Sequence, residues 1–347
     1  MDNTDTIISQ NRLLITKLYI PSYSPSRVFR HRLIQRLDVG LQVPLSLICA
    51  PAGSGKTVLL ASWLQDYQKR TDDAFVAAWL SLDREDDDPT RFWHYFVAAL
   101  EMACPATPLF SAAPENASSS PSMALLTSLI NDIAASPYTF ALVLDDYHVL
   151  HMQEIHETMI FLLDHLPSNM HLFIASREEP PLPLARLRVR NQLLELRLPD
   201  LRFTHDEVTA FLQQMTPATL SYADIAILEE RTEGWIAGLQ LAALSMRGIS
   251  DASAFIATFT GDHRHVADYL VEEVLNRLPT HLQLFLLHTS VLNRLCAGLC
   301  NALTKQPDGQ KMLEYLEQSN IFLVSLDAKR YWYRYHHLFA EALRHRL

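Results

Sequence analysis

The sequence LSLICAPAGSGKT, residues 45–57, is the strongest indication of the fold of this chain. It begins within an apolar run, Val43–Ala50, which predicts a strand buried on both faces. A turn with two glycines follows, and the residues from Lys56 to about Gln68 then predict an amphipathic helix. A buried strand, a glycine turn and a helix in this order are typical of a loop that binds phosphate.

Four further apolar stretches predict the other strands of the same sheet, and helical patterns lie between them. The predicted strands are Phe75–Leu82, Phe140–Leu144, His171–Ala175 and Gln192–Leu196. The predicted helices begin at Pro89 and cover about Met123–Ala135 and Ile155–His165. Because the strands are continuously apolar and alternate with helices, we expect an α/β domain with a parallel sheet and helices on both faces.

The pattern changes after Asp200, where helical segments replace the alternation. Thr204 and Glu207 have the spacing of a capping box at the start of one helix. Residues 291–347 predict short helices and a β-hairpin within 321–335, with its turn at Asp327. We therefore expect a mainly helical second half.

The composition excludes several classes of protein. The chain has 347 residues, of which 49% are hydrophobic and only 9 are Gly, so collagen-like, disordered and all-β architectures are disfavoured. The net charge of −10 disfavours a polyanion-binding role for the whole chain. No signal peptide and no membrane-spanning run are present in the sequence, which predicts a cytoplasmic protein without membrane contact.

Several groups of side chains that could suggest a binding site also have an ordinary structural interpretation. The four cysteines match no disulfide or zinc pattern and are expected to be buried thiols. The acidic run over 83–88 predicts a solvated loop in which Asp88 caps the next helix. Residues 12–36 carry six basic and no acidic residues, which fits either a solvated surface or a basic lip near an anion. Trp79, Trp93 and the aromatic residues of 331–335 are expected to pack in the interior, although 331–335 also suits a wing.

The glycine turn matches the Walker A pattern in its relaxed form, with Ala50 in the first position. Gly53 and Gly55 allow the backbone to approach an anion, and their amides with those of Ser54 and the following helix would cradle a β-phosphate. Lys56 would neutralise the β- and γ-oxygens, and Thr57 would ligate Mg²⁺. Val58 completes the predicted nucleotide-contacting stretch.

The strand over 140–144 ends in two acidic residues, which is the Walker B arrangement. Asp145 would hold the Mg²⁺, and Asp146 would polarise the attacking water or remain inactive. Arg177 follows a third strand, from which its guanidinium would reach the γ-phosphate; the alternative is a solvated surface arginine. With Lys56, Asp145 and Asp146 are the predicted catalytic residues.

Several stretches, in their order along the chain, resemble one family. They are APAGSGKT (50–57), WLSLDREDDDPTRFWHYFVAAL (79–100), LVLDDYHVL (142–150), LRFTHDEVTAFL (201–212), TEGWIAGLQLAALSMR (232–247) and YRYHHLFAEALRHRL (333–347). Together they are similar to the core of STAND-class signal-transduction ATPases, specifically the MalT-like family of large ATP-binding LuxR-type activators. The resemblance covers about residue 13 to the end of the sequence.

The resemblance implies a regulatory switch built from three parts. A lead segment (1–27) precedes a P-loop nucleotide-binding domain (28–200), a helical domain (201–276) and a winged-helix domain (277–347). ADP would hold the closed state, and ATP with an inducer would favour an open form that self-associates and hydrolyses ATP slowly. The sensor repeats and the DNA-binding helix-turn-helix of the family are not in this sequence, so we expect an excised core or a natural short form.

The resemblance also implies further nucleotide contacts. Val28 and Arg30 align with the segment that lines the adenine pocket, and Arg177 aligns with a sensor arginine. Gln240 replaces the family proline that contacts adenine, which leaves that contact open. His336 aligns with a histidine that touches the ADP β-phosphate, and a buried core histidine is the alternative.

Other functions remain open at this stage. One is a constitutive P-loop ATPase or kinase that does not act as a switch. A second is DNA binding by the predicted winged helix, where residues 277–347 carry nine basic and five acidic residues. A third is an oligomerisation scaffold, which the intact Walker pair disfavours.

Overall fold

The computed structural model describes residues 13–22, 28–71, 74–104, 123–216, 220–249 and 251–347. Most of the lead segment (1–27) therefore lies outside the described residues. The chain divides into two compact units. The first comprises residues 1–22, 31–49 and 56–196, and the second comprises 23–30, 50–55 and 197–347. The division into three functional domains remains a prediction.

The first unit is built around a five-stranded sheet. Its strands are β1 (Leu45–Cys49), β2 (Phe75–Ser81), β3 (Thr139–Asp145), β4 (Met170–Ser176) and β5 (Leu193–Arg197). They lie in the order β2-β3-β4-β1-β5, and β2 with β3, β3 with β4 and β4 with β1 pair in parallel. The predicted parallel sheet is confirmed.

Among the described residues of this unit, six α-helices connect and cover these strands. They are α1 (His31–Val39), α2 (Lys56–Arg70), α3 (Pro89–Ala103), α4 (Met123–Ala135), α5 (Gln153–Asp164) and α6 (Leu184–Val189). Leu142 and Leu172 face a core that includes side chains of α3, α4 and α5. The alternate residue Phe173 points to the other face, where its ring lies 4.3 Å from that of Trp63 on α2. Helices cover both faces, as predicted.

Asp88 caps the N-terminus of α3, as the sequence predicts. Its carboxylate accepts a hydrogen bond from the Arg91 amide at 2.8 Å. The prediction that the whole acidic run is solvated is wrong. Asp86 is fully buried and pairs with Lys17 and Arg91. Lys17 is itself buried and also contacts Asp83 at 3.0 Å. Lys17 and Arg91 thus supply the positive charge that the Asp86 carboxylate needs once it is withdrawn from water.

The second unit is mainly helical. Its helices are α7 (Leu198–Leu201), α8 (His205–Met215), α9 (Tyr222–Thr232), α10 (Ile236–Ser245), α11 (Ala252–Thr258), α12 (Arg264–Glu273), α13 (Thr280–Thr289), α14 (Ala297–Thr304), α15 (Gly309–Gln318) and α16 (His337–Arg346). The capping box of Thr204 and Glu207 at the start of α8 is confirmed. Within the described residues, none of the helices combines the length and apolar character that crossing a bilayer requires.

The predicted hairpin is also present. β6 (Leu323–Ser325) pairs antiparallel with β7 (Tyr333–Tyr335), and the Asp327 carboxylate accepts three backbone amides in the turn. Tyr333 and Tyr335 are buried as expected, but Tyr331 is 59% exposed and Trp332 is 38% exposed. The packing prediction is therefore wrong for these last two, because they belong to the turn rather than to the paired strands. All four cysteines are buried.

Gly261 marks a close approach of two backbones within the second unit. A Cβ atom at this position would lie 2.0 Å from the Leu338 carbonyl oxygen, in the first turn of α16. The Gly261 amide also donates to the Glu341 carboxylate at 2.6 Å. A side chain can be accommodated only if α16 moves.

We expect Gly261→Ala to lower the free energy of unfolding by about 1–3 kcal/mol, the usual cost of overpacking a rigid contact. Urea unfolding followed by circular dichroism measures this change. Gly298→Ala is the matched control, because nothing lies within 4 Å of the Cβ it adds and alanine favours the helix α14. Equal stabilities for the two variants would contradict the close approach.

Candidate functional site

Parallel pairing brings together three segments of the first unit that are far apart in sequence. In register, Cys49 of β1 lies opposite Ser176 of β4, and Leu144 of β3 lies opposite Ile174 of β4. The carboxyl ends of β1, β3 and β4 consequently meet at one edge of the sheet, which is where ligands bind in open α/β sheets. Lys56 and Thr57 at the start of α2, Asp145 and Arg177 belong to these segments.

Asp145 contacts the Walker A threonine directly. The Thr57 hydroxyl donates to Asp145 Oδ1 at 3.1 Å, and the same oxygen accepts the Asp146 amide at 3.1 Å. Burial, and next the neighbouring charge of Asp146, raise the pKa of the Asp145 carboxyl to about 7. Asp146 has left-handed backbone torsions (φ 58°), and its side chain is 45% exposed.

Lys56 is a buried cation beside these carboxylates. Burial lowers the pKa of the Lys56 ammonium to about 8, Asp146 and Asp145 oppose this effect, and Arg177 adds to it. The positive charge of Arg177 therefore lies close enough to Lys56 to affect the pKa of its ammonium. An anionic ligand beside Lys56 would oppose the effect of burial and favour the charged form of its ammonium.

The donor set fits a magnesium ion that phosphate helps to hold. Thr57 and Asp145 offer hard oxygen atoms 3.1 Å apart. Mg²⁺ commonly takes one or two protein oxygens and completes its octahedron with phosphate oxygens and water. In the part of the chain that the structure describes, no cluster of three or more His, Cys, Asp or Glu side chains is suited to hold a metal alone.

The glycine loop belongs to the second unit. Gly53 (φ 70°) and Gly55 (φ 78°) are both left-handed, which explains why glycine stands at these positions. A Cβ on Gly53 would lie 2.5 Å from that of Ala237. The Ala52 carbonyl accepts a hydrogen bond from Trp235 Nε1 at 3.1 Å, and the Gly53 carbonyl accepts one from the Ala237 amide at 3.1 Å.

No local sequence pattern predicts these contacts of Trp235 and Ala237. The available signal was a tryptophan directly before an apolar helix, next to Gly234, in one of the stretches that carry the resemblance. Of the other predicted site residues in the second unit, Ser54 is buried within the loop. Gln240 is half-buried on α10. Val58, in the first unit, is 38% exposed on α2.

Arg30 and Val28 take part in the packing of the second unit. Arg30 is buried, and its Nη2 donates to Glu207 Oε2 at 3.0 Å and to the Arg202 carbonyl at 2.8 Å. Its guanidinium also lies over the Phe203 ring, 4.7 Å from the centroid. Val28 is partly buried against the same core. Arg30 is thus neither solvated nor a free basic lip, and the adenine contacts of both residues remain a prediction.

His336 directly precedes α16 and is 3% exposed. Its Nε2 donates to the Thr232 carbonyl at 2.9 Å, since a carbonyl can only accept. Its buried Nδ1 has no hydrogen-bond partner among the described residues. Burial lowers the pKa of His336 to about 4, and the Glu233 carboxylate opposes this effect. The imidazole is therefore neutral near pH 7 in the absence of a ligand.

Glu233 connects two arginines and a backbone amide near this histidine. Its carboxylate accepts hydrogen bonds from Arg334 at 2.7 and 2.9 Å and from Arg202 at 2.9 Å. Burial works against ionisation, but the hydrogen bonds from Arg334 and the nearby positive charges hold the pKa of Glu233 at about 2. The His337 amide lies 3.3 Å from the same carboxylate. This network ties β7 and the start of α16 to the end of α9.

The parallel sheet, the strand–glycine-loop–helix order and the Thr57–Asp145 contact define a P-loop NTPase fold, followed by helical and winged-helix segments. Among solved structures, the Walker-type ATPase PABY2304 of Pyrococcus abyssi is similar to the chain. The TM-score is 0.63 and the sequence identity 14%, over 94% of this chain and 99% of that one. This likeness concerns the fold alone.

Curated proteins give a more specific similarity. Residues 271–347 match the MalT winged helix domain. The chain is 38% identical over 340 residues to the HTH-type transcriptional regulator MalT of Yersinia enterocolitica, and 37% identical to that of Yersinia pestis. Each match covers 96% of this chain and 36% of the relative. The chain therefore resembles MalT regulators, as its motifs predicted, and spans about a third of the length of these relatives.

We expect His336 to contribute less stability at pH 5 than at pH 7, while the raised pKa of Asp145 acts in the opposite direction. In the unfolded chain the His336 imidazole binds a proton near pH 6.5, whereas in the folded chain its pKa is about 4. This contribution is fully present above pH 6.5 and is lost as the pH falls toward 4, with about 2 kcal/mol lost by pH 5.

His336→Gln keeps a donor for the Thr232 carbonyl and does not titrate. On going from pH 7 to pH 5, urea unfolding should therefore show about 2 kcal/mol less loss of stability for this variant than for the wild type. His156, His171 and His263, whose pKa values burial also lowers, contribute equally to both proteins and cancel in the comparison. An identical loss in the variant and the wild type would show that His336 is not buried in neutral form.

Proposed function

We propose that this chain is the nucleotide-binding core of a MalT-like transcriptional regulator, where it acts as a switch that binds ADP or ATP with Mg²⁺ and hydrolyses ATP slowly. The observation that carries the proposal is the Thr57–Asp145 contact beside the buried Lys56 ammonium. A turn that merely joined a strand to a helix would have no reason to bury a lysine and a carboxylate together.

Each residue has a defined role in this proposal. Backbone amides of the glycine loop hold the phosphates, and Lys56 neutralises their oxygens. Thr57 and Asp145 would hold Mg²⁺, which when bound would supply positive charge next to the phosphates. Asp146 orients the attacking water, and Arg177 detects the γ-phosphate.

The switch depends on differential binding. A nucleotide shifts an equilibrium between two conformations only by the difference between its affinities for them. The γ-phosphate would be recognised by Lys56 and Arg177, and the ADP-bound form by His336. Because Nε2 of His336 already donates to the Thr232 carbonyl, this histidine can donate to a phosphate through Nδ1 only when its ring is protonated. An adjacent anion favours that protonation.

The wider activity is proposed by analogy with the relatives, which are HTH-type transcriptional regulators. We infer that the ATP-bound state self-associates, and that an inducer and DNA are bound by segments of the regulator other than residues 1–347. Val28 and Arg30 remain the proposed adenine-side contacts. The domain arrangement proposed for the switch is that of residues 28–200, 201–276 and 277–347.

The most direct experiment identifies any nucleotide that purified protein carries. The protein is denatured, and the released small molecules are separated by ion-exchange chromatography. ADP in a one-to-one ratio supports the resting switch. A protein that releases no nucleotide, and that binds none when MgADP or MgATP is added, contradicts the proposal. Rapid ATP turnover without any inducer would instead indicate a constitutive ATPase.

Lys56→Ala should weaken MgADP binding by about 100-fold, because it removes a buried charge-assisted contact to phosphate worth about 3 kcal/mol. Isothermal titration calorimetry on nucleotide-free protein measures the affinity. Lys69→Ala is the matched control, since Lys69 is exposed near the end of the same helix, α2. The assignment of Lys56 is incorrect if both variants bind with wild-type affinity.

A further inference from the structure

The glycine loop has two carbonyl groups whose hydrogen-bond donors come from one short segment of the second unit. Trp235 Nε1 donates to the Ala52 carbonyl, and the Ala237 amide donates to the Gly53 carbonyl, each at 3.1 Å. Trp235 is the residue directly before α10, and Ala237 lies in its first turn. One donor is a side chain and the other is a backbone amide, and both belong to the start of the same helix.

These two bonds set the direction of the amides in the loop. A trans peptide is planar, so its C=O and N–H groups point to opposite sides. A donor that holds the Ala52 carbonyl thereby turns the Gly53 N–H the other way, and a donor on the Gly53 carbonyl does the same for the Ser54 N–H. Two successive N–H groups on the side away from the donors form the type of concave backbone that binds anions.

The Trp235 side chain is itself firmly held. It is 3% exposed, and its backbone amide donates to the Thr232 carbonyl at 2.8 Å. The indole packs edge-on against Phe322 at 5.1 Å and against His336 at 5.9 Å, measured between ring centroids. Phe322 directly precedes β6, and His336 directly precedes α16. One rigid side chain thus contacts the loop by its N–H and the hairpin region by its ring.

We propose that Trp235 is a positioning residue that holds the glycine loop in its phosphate-binding conformation and transmits the position of the Phe322–His336 region to that loop. This inference rests on the proposed nucleotide-binding function, and Trp235 itself touches no nucleotide in it. A shift of Phe322 or His336 moves the indole, releases the Ala52 carbonyl and lets the peptide between Ala52 and Gly53 rotate. The loop then loses one of its phosphate-binding amides, and the bound nucleotide leaves faster.

The test removes the indole N–H without changing the shape of the ring. β-(3-Benzothienyl)alanine, in which sulfur replaces the N–H group, is introduced at position 235 by site-specific incorporation. The matched control is the same replacement of Trp93, a buried tryptophan of the first unit whose Nε1 donates to Thr158 Oγ1 at 3.1 Å. Trp235→Phe provides a second variant, made by ordinary mutagenesis, that also lacks the donor.

The readout is the dissociation rate of a fluorescent ADP analogue, measured by stopped flow on chase with excess ADP. Loss of one neutral hydrogen bond should increase this rate by about 3- to 10-fold in both position-235 variants. The control at position 93 should release the analogue at the wild-type rate. The thermal unfolding temperature should shift by the same amount for the two benzothienyl variants. This comparison separates the effect on the loop from a general loss of stability.

Hydrogen exchange supplies a second readout on the ADP-bound proteins. The amides of Gly53 and Ser54 should exchange faster in the position-235 variants than in the control. If the wild type binds the analogue and all variants release it at one rate, the role of Trp235 is overturned while the proposed function stands. If the wild type binds neither the analogue nor MgADP, the proposed function fails and this inference fails with it.

Discussion

The parallel pairing of β1, β3 and β4 is the constraint on which the rest of the candidate site depends. Thr57 and Asp145 are 88 residues apart in the chain, and they meet only because the strands that precede them end at the same edge of one sheet. The same edge buries Lys56 and Asp145 together, where the loss of water drives each toward its neutral form. Such a pair is costly in the unliganded fold, which is expected of a site shaped for a charged ligand rather than for stability.

In the second unit the dominant requirement is that buried polar groups find partners. The carbonyls of Ala52 and Gly53 obtain their donors from the start of α10, and Glu233 satisfies two arginines. Among the described residues, His336 finds a hydrogen-bond partner for one of its two ring nitrogens. A loop that departs from regular secondary structure must find such partners elsewhere, and its conformation is therefore set by residues nearly 200 positions later in the chain.

Much of this organisation could be predicted from local patterns. The strand before the glycine loop, the caps of α3 and α8, the hairpin turn at Asp327 and the acidic pair after β3 are each encoded within a few consecutive residues. The predictions that the structure contradicts concern the solvent exposure of individual side chains. Asp86 is in an acidic run that predicts a solvated loop, yet Lys17 and Arg91 neutralise it in the interior. Tyr331 and Trp332 are aromatic, yet the hairpin turn leaves them partly open to solvent.

Short windows of the chain specify the α/β class, the phosphate-loop motif and the resemblance to MalT regulators, because periodicity, turn chemistry and motif spacing are local properties. The contacts of Asp145 with Thr57, of Arg30 with Glu207 and of Trp235 with the Ala52 carbonyl arise only when the chain is folded. Those contacts join residues from about 90 to more than 180 positions apart. No local propensity specifies such a pairing, since it follows from the burial of polar groups that must find a partner once water is excluded.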